Sequence, residues 1–542
     1  MNIESKTPLE MFYHWEANTP ETIFLRQPQQ LKWREYSWQE VADRVRRTAH
    51  FLQQQQFPAG SCIAIYASNS ADWVVVDLAI MLSGHISVPL YPGQDAESVS
   101  YVLQHSESRL IFLGNFDQSN QAETILPSQL KRVAIQGCTT NCDISLETIQ
   151  QQFTPLTESP LPKPESIFTI LYTSGTTGNP KGVMHAHSTP GHIISRMHKA
   201  WGIGKGPERD RMMSYLPLSH AAERCIVEMN ALYSNSSMSF SEGLATFSEE
   251  LRSIKPTFFF SVPRLWVKFK AGIDAKFSTE QQQQFNQADK TKVRDMLGLD
   301  KARIVLTGSA PCPSQVHQWF VNMGIPLREG YSMTENFCDG SFWPVDKTPI
   351  PGCSGWPLPG VELKLTAANE VCFKSNGLMK GYYKAPDKTA EVLIDGWYHT
   401  GDTGHIDEQG LWITGRISEV FKTSKGKFIK PARIEDRFAT LPFIQQVCVF
   451  GRGLDQPVLA ATLSSIGQRM SQQALLSAAN EGLQSINEQL PAYEKISTLL
   501  LNTTEWTANN GFLTPTMKIK RKVVADKFTP IITASTKPIV IL

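Results

Sequence analysis

Short apolar runs that alternate with amphipathic stretches constrain this chain more than any other feature. Runs at Cys62–Tyr66 (CIAIY), Leu110–Leu113 (LIFL), Ile167–Tyr172 (IFTILY), Thr257–Ser261 (TFFFS), Ile304–Thr307 (IVLT) and Val361–Leu365 (VELKL) read as strands. Helical spacing is clearest over Trp38–Gln54, Val316–Met323 and Met470–Gln489. Such alternation over most of a chain predicts an α/β architecture. The most apolar stretch, Trp73–Leu90, carries Asp77, Gly84 and His85, so it reads as a buried helix followed by a strand, not a bilayer span. Gln53–Gln56 and Gln281–Gln284 are too short for disordered tracts and are expected on exposed helix faces. No internal repeat is found.

At 542 residues the chain is long enough for more than one domain. The texture changes after Gly401, where turn-rich Thr400–Gly415 leads into the lysine-rich stretch Lys422–Lys430. A boundary near Arg416 is expected, giving a large domain 1–415 and a small one 416–542. Lys and Arg total 52 against 51 Asp and Glu, a net charge of +1 that excludes nucleic-acid binding through bulk charge. Nine dispersed cysteines fit a reducing compartment better than a disulfide framework. The N-terminal residues lack a charged segment followed by an apolar run, so no secretory leader is expected there, and the cytoplasm is the default location.

The strongest chemical signal is Tyr172–Gly182, YTSGTTGNPKG, directly after the strand-like IFTIL. Small Ser, Thr and Gly residues expose backbone N–H groups and hydroxyls, which suits wrapping the phosphates of a nucleotide. Lys181 adds a point charge for them. This is not a Walker loop, because Pro180 stands where a glycine is required and Gly182 replaces the Ser or Thr that would hold magnesium.

That loop resembles the phosphate-loop signature of the adenylate-forming superfamily. Further matches follow in order: YLPLSHAAER (Tyr215–Arg224), VPRLW (Val262–Trp266), GSAP (Gly308–Pro311), EGYSMTEN (Glu329–Asn336), GWPLPGVELKL (Gly355–Leu365) and MKGYYKAPDKTAE (Met379–Glu391). DGWYHTGDTGHIDEQGLWITGR (Asp395–Arg416) and LTPTMKIKR (Leu513–Arg521) complete the set, which spans essentially the whole chain. Within the superfamily the chain is most similar to long-chain fatty acyl-CoA synthetases. The resemblance implies two α/β subdomains and a small β-barrel in the large domain, with a mobile α+β C-terminal domain. It also implies ATP- and Mg2+-dependent activation of a fatty acid as acyl-AMP, then transfer to CoA. An acyl-carrier protein as acceptor, or arrest at the acyl-adenylate, would use the same adenylation residues. A luciferase-like oxygenase or a binding-only scaffold are further alternatives, the latter opposed by the intact lysine, acid and arginine positions.

Carried over residue by residue, the resemblance places Thr173, Ser174, Gly175, Thr176, Thr177, Gly178 and Lys181 on the phosphates. Thr334 would contact the α-phosphate, and Glu335 with Thr176 would hold magnesium. Gly308, Ser309 and Ala310 would let adenine approach the backbone, Tyr331 would stack on it, and Asp402 would accept from both ribose hydroxyls. Arg416 would engage the nucleotide near the domain boundary. Lys518 would bridge the substrate carboxylate and α-phosphate, with His220 beside that carboxylate. Family members rotate the C-terminal domain between half-reactions. The matching thiol-binding loop is Thr423–Phe428, where Lys425, Gly426 and Lys427 would attract the phosphates of CoA or an acidic carrier protein. Two positions depart from the pattern: Ser418 stands where the hinge usually has Asp or Lys, and Lys425–Gly426 replaces paired glycines. A fatty substrate is compatible with peripheral contact at the inner membrane face, although no basic amphipathic helix announces it.

Overall fold

The computed structural model describes residues 2–30, 32–116, 125–173, 179–508, 510–514, 517–535 and 537–542. Two large sheets carry most of the chain before residue 345. In the first, of seven strands, Phe258–Ser261 lies between the parallel strands Arg211–Ser214 and Ile304–Thr307. All four of its residues are buried, as the triple phenylalanine predicts. In the second, of eight strands, Cys62–Tyr66 pairs in parallel with Ile86–Leu90 on one side and Leu110–Leu113 on the other. Ile167–Thr173 follows beside Ile86–Leu90 and then pairs antiparallel with Lys181–Ala186.

Helix Ala71–Leu82 is buried on every side, Asp77 included, as its all-round apolarity requires. Ser70 caps its start, with the hydroxyl accepting from the Trp73 amide. Trp38–Gln53 is amphipathic and buries Trp38, Val41, Ala42, Val45, Ala49 and Leu52 along one stripe. The buried Asp77 is neutralised from a distant segment. Arg224 donates to both of its carboxylate oxygens, at 2.5 and 2.6 Å, and to Thr169 Oγ1 at 2.6 Å. Arg224 lies on a π-helical stretch, Glu223–Met229, which is buried throughout. A charge this deep is tolerated only when paired and hydrogen-bonded.

A five-stranded antiparallel sheet stands where the resemblance implies a small barrel. It includes Glu370–Lys374, Trp397–Asp407 and Gly410–Arg416. The turn-rich appearance of Thr400–Gly415 is therefore corrected: the segment is a long hairpin. Its glycines absorb irregular pairing, with φ of +72° at Gly401, +127° at Gly410 and +145° at Gly415. The Gln281–Gln284 patch is also corrected. Gln282 is buried, donating to Asp274 and the Phe277 carbonyl and accepting from Trp319 Nε1 at 2.8 Å.

From Phe421 onward the chain builds two cores of its own on the faces of a four-stranded sheet. Alternation sorts the strands: Leu459 and Ala461 meet helix Gln472–Glu488, while Val458 and Ala460 meet helix Arg521–Thr533. The nine cysteines form no disulfide. Among the described residues no helix is long and apolar enough to cross a membrane.

Candidate active site

Residues of the large domain, the antiparallel sheet and the C-terminal segment converge around Asp402, which is 4 % exposed. Its Oδ2 accepts from the Tyr331 hydroxyl at 2.6 Å, and Arg416 Nε lies 2.8 Å from Oδ1. That N–H is not aligned for a hydrogen bond, so Oδ1 is a buried acceptor still without a donor. Burial raises the Asp402 carboxyl above its ordinary range, and Arg416 and Tyr331 counteract the rise. A carboxylate braced by Tyr331 on one oxygen and charge-paired with Arg416 on the other retains acceptor capacity on Oδ1 that suits a ligand hydroxyl. The bond to Tyr331 also fixes that ring against Phe373, with centroids 5.9 Å apart.

Glu335 is buried beside this pair and its Oε1 accepts from the Tyr382 hydroxyl at 2.8 Å. Lys181 Nζ lies 4.7 Å from the centre of the same Tyr382 ring. Tyr382 thus joins the one described charge of the glycine-rich loop to the acid of the YSMTE segment. Thr173 and Lys181 are register partners, so they close the base of that loop. Thr334 is anchored through its carbonyl, 2.8 Å from His185 Nε2. Burial lowers His185 to about 3, so the ring is neutral and donates that bond. Asn336 accepts from the Met333 amide at 2.9 Å and completes the turn.

Lys518 lies on the C-terminal side and is exposed. Desolvation by the surrounding protein and the charge of Arg416 push its ammonium below the usual lysine range, while Asp402, Glu335 and Glu419 pull it back. Desolvation, with Lys518 nearby, lowers His220 to about 4. The Ala222 amide donates to His220 Nδ1 at 3.1 Å, which leaves the proton of the neutral ring on Nε2. Gly308 is buried, and Ser309 and Ala310 are exposed beyond it. A Cβ at Gly308 would approach the Gly330 carbonyl to 3.2 Å, so the two segments touch through backbone. Ser309 takes φ +67°, an unusual conformation for a side chain, where the chain bends out of its strand.

The structure brings Lys181, Tyr331, Glu335, Asp402 and Arg416 together, with His220 and Lys518 electrostatically linked to the group. Lys425, Gly426 and Lys427 are elsewhere, on the hairpin joining Phe421–Lys422 and Phe428–Ile429. Lys425 faces Asp455 at 3.7 Å, and Lys427 lies 5.9 Å from the Tyr493 ring. Ser418 sits in the short 3-10 turn Ile417–Glu419. Ser174, Gly175, Thr176, Thr177 and Gly178 lie outside the described residues. Sequence reasoning missed Tyr382 and His185. Tyr382 was within a quoted motif, MKGYYK, but nothing local distinguishes a bridging tyrosine from a packed one.

A profile described as AMP-binding enzyme matches residues 12–383, and one described as AMP-binding enzyme C-terminal domain matches 419–537. The chain belongs to the AMP-binding enzyme family. A long-chain-fatty-acid–CoA ligase of Mycobacterium bovis is 27 % identical, the alignment covering 96 % of this chain and 95 % of the relative. Long chain acyl-CoA synthetase 2 of Arabidopsis thaliana is 26 % identical, over 92 % of this chain and 87 % of the relative. Among solved structures, the anthranilate CoA ligase AuaEII in complex with anthranoyl-AMP superposes with a TM-score of 0.78 at 20 % identity, covering 96 % of this chain and 97 % of that one. The AMP-binding fold expected from the motifs, with a large N-terminal and a smaller C-terminal part, is therefore the fold observed.

Proposed function

We propose that this AMP-binding enzyme is an ATP-dependent long-chain fatty acid–CoA ligase. One observation carries the reading: buried Asp402 is held by the Tyr331 hydroxyl and faces Arg416, with Glu335 fixed on Tyr382, and Lys518 from the far end of the chain is electrostatically coupled to Asp402, Glu335 and Arg416. Curated long-chain acyl-CoA ligases aligned over nearly their full length supply the substrate class.

The chemistry needs such an arrangement. A carboxylate is a poor acyl donor because its leaving group would be oxide. Its oxygen therefore attacks the α-phosphorus of ATP, giving acyl-AMP and pyrophosphate. The CoA thiol then attacks the acyl carbon and AMP leaves. The first step joins two anions, so positioning and positive charge matter more than a strong base. Lys518 neutralises the carboxylate and the α-phosphate as they approach. His220 Nε2–H donates to the carboxylate without adding charge. Asp402 Oδ1 takes a ribose hydroxyl, and Tyr331 holds the adenine side of the pocket. Lys181 attracts the departing pyrophosphate.

Glu335 is a hard oxygen ligand suited to magnesium, with Oε1 fixed by Tyr382. Magnesium, when bound there, neutralises phosphate oxygens. Thr176, the other implied ligand, lies outside the described residues.

The domain boundary at Arg416, rotation about Ser418 and a cytoplasmic location belong to the same proposal. The exposed hairpin bearing Lys425 and Lys427 favours an anionic acceptor, either CoA or an acidic carrier protein. Oleate-dependent exchange of pyrophosphate into ATP tests the adenylation step. Exchange that requires oleate and magnesium supports the reading; absence of exchange with any fatty acid from 8 to 18 carbons, about the usual range, refutes it.

A further inference from the structure

The segment carrying Asp402 departs from regular pairing in a way that needs its own support. On strand Glu370–Lys374, Cys372 pairs with His399, yet Glu370 pairs with Thr403. Thr400, Gly401 and Asp402 thus face the single residue Val371, and the two surplus residues form a bulge. Backbone groups in such a bulge lose their ladder partners and must find others.

Two side chains supply them. Glu370 Oε1 accepts from the Gly401 amide at 2.9 Å. Thr400 Oγ1 accepts from the Asp402 amide at 3.1 Å and donates to the Val371 carbonyl at 2.8 Å. Glu370 is itself fixed, since its Oε2 accepts from His399 Nδ1 at 2.9 Å and its own amide donates to Thr366 Oγ1 at 3.1 Å. Gly401 contributes only its φ of +72°; a Cβ there would meet nothing within 4 Å. Regular bonding resumes where the Gly404 amide reaches the Asn369 carbonyl at 2.9 Å.

We propose that Glu370, oriented by His399, is a positioning residue that clamps the bulge and thereby aims Asp402 at the nucleotide ribose. The clamp rests on the reading of Asp402 given above. It explains why an acid occupies a site with little solvent: both oxygens receive N–H donors, one from the bulge and one from the imidazole. Cys372 Sγ lies 3.5 Å from His399 Nδ1, so Glu370, Cys372 and His399 could also be read as metal ligands. The clamp accounts for both Glu370 oxygens without a metal.

The test is steady-state kinetics of the full chain, with AMP binding by calorimetry, for Glu370→Ala, Glu370→Gln and Thr400→Val. Glu370→Ala and the near-isosteric Thr400→Val are expected to raise KM for ATP and Kd for AMP by roughly tenfold to a hundredfold. The KM for oleate should stay within about threefold of wild type, since only the ribose end is loosened. Glu370→Gln keeps an acceptor for the Gly401 amide and should restore most of the AMP affinity. Unchanged AMP affinity in Glu370→Ala or, if that variant does not fold, in Thr400→Val overturns the clamp, as does an equal rise in both KM values. One zinc per wild-type chain, lost in Cys372→Ser, would also overturn it by making Glu370 a ligand. Failure of the wild type to bind AMP would instead defeat the reading of Asp402.

Discussion

Lys518→Met removes an ammonium while keeping a flexible chain of similar length. In the proposed adenylation step that ammonium faces two anions, the fatty carboxylate and the α-phosphate. At about 4 Å each attraction is worth about 4 kcal/mol for an effective dielectric near 20, and about 1 kcal/mol in bulk water. Lys518 is exposed, so the smaller end of that range applies to free substrates and the larger end to the closed complex. A net loss of about 3–4 kcal/mol corresponds to roughly 10²–10³-fold in rate. The assay is hydroxamate trapping of oleoyl-AMP, run beside AMP binding by calorimetry. Adenylation should fall by that factor while the Kd for AMP changes less than about threefold, because Asp402, Tyr331 and Arg416 remain. Conversion of supplied oleoyl-AMP to oleoyl-CoA should also persist. Adenylation within about threefold of wild type would refute the assignment of Lys518, and equal loss of AMP binding would show that it holds nucleotide instead.

Other residues give sharper tests of the scaffold. Burial raises Glu223 from 4.5 to about 8, with the Tyr215 amide donating to Oε1 at 3.1 Å. The native state thus keeps a proton that the unfolded chain releases between those values, so this group's stabilisation is full below 4.5 and is lost as pH rises through about 8. Glu223→Gln should match wild-type melting near pH 5 and exceed it near pH 8, by roughly 1–4 kcal/mol; parallel melting curves would contradict the assignment. Arg224→Met strands the Asp77 carboxylate in the core and should cost about 3–5 kcal/mol in urea or thermal unfolding. A loss under about 1 kcal/mol would contradict the claim that the Arg224–Asp77 pair is what makes these buried groups tolerable. Arg264 pairs with Glu505 across the domains, and both side chains are more than a third exposed. Glu505→Gln should therefore change adenylation less than about threefold, and a larger fall would make this contact a determinant of domain docking.

The strands were legible where three or more apolar residues run together, as at Cys62–Tyr66, Leu110–Leu113 and Ile304–Thr307. Thr400–Gly415 was not, because its glycines and threonines signal turns, while its two arms pair with each other and the first arm is also held by the separate strand Glu370–Lys374. The same distinction governs the site. Lys181, Glu335, Asp402 and Lys518 stood out because their motifs are contiguous in sequence. Tyr382, His185 and Glu370 did not, since each acts through partners at least 29 positions away. Asp77 looked like an interruption in an apolar helix, and only the fold reveals Arg224 as its partner. Gln282 similarly looked like a solvated helix residue until Trp319 closed over it.

The central claim is ligation of a fatty acid to CoA through acyl-AMP. Its most direct test is product analysis with oleate, ATP and magnesium, run with CoA, with holo acyl-carrier protein, and with neither acceptor. The account predicts oleoyl-CoA with stoichiometric AMP in the first arm and little thioester in the second. Thioester formed only on the carrier protein, or oleoyl-AMP accumulating in all three arms, would contradict it.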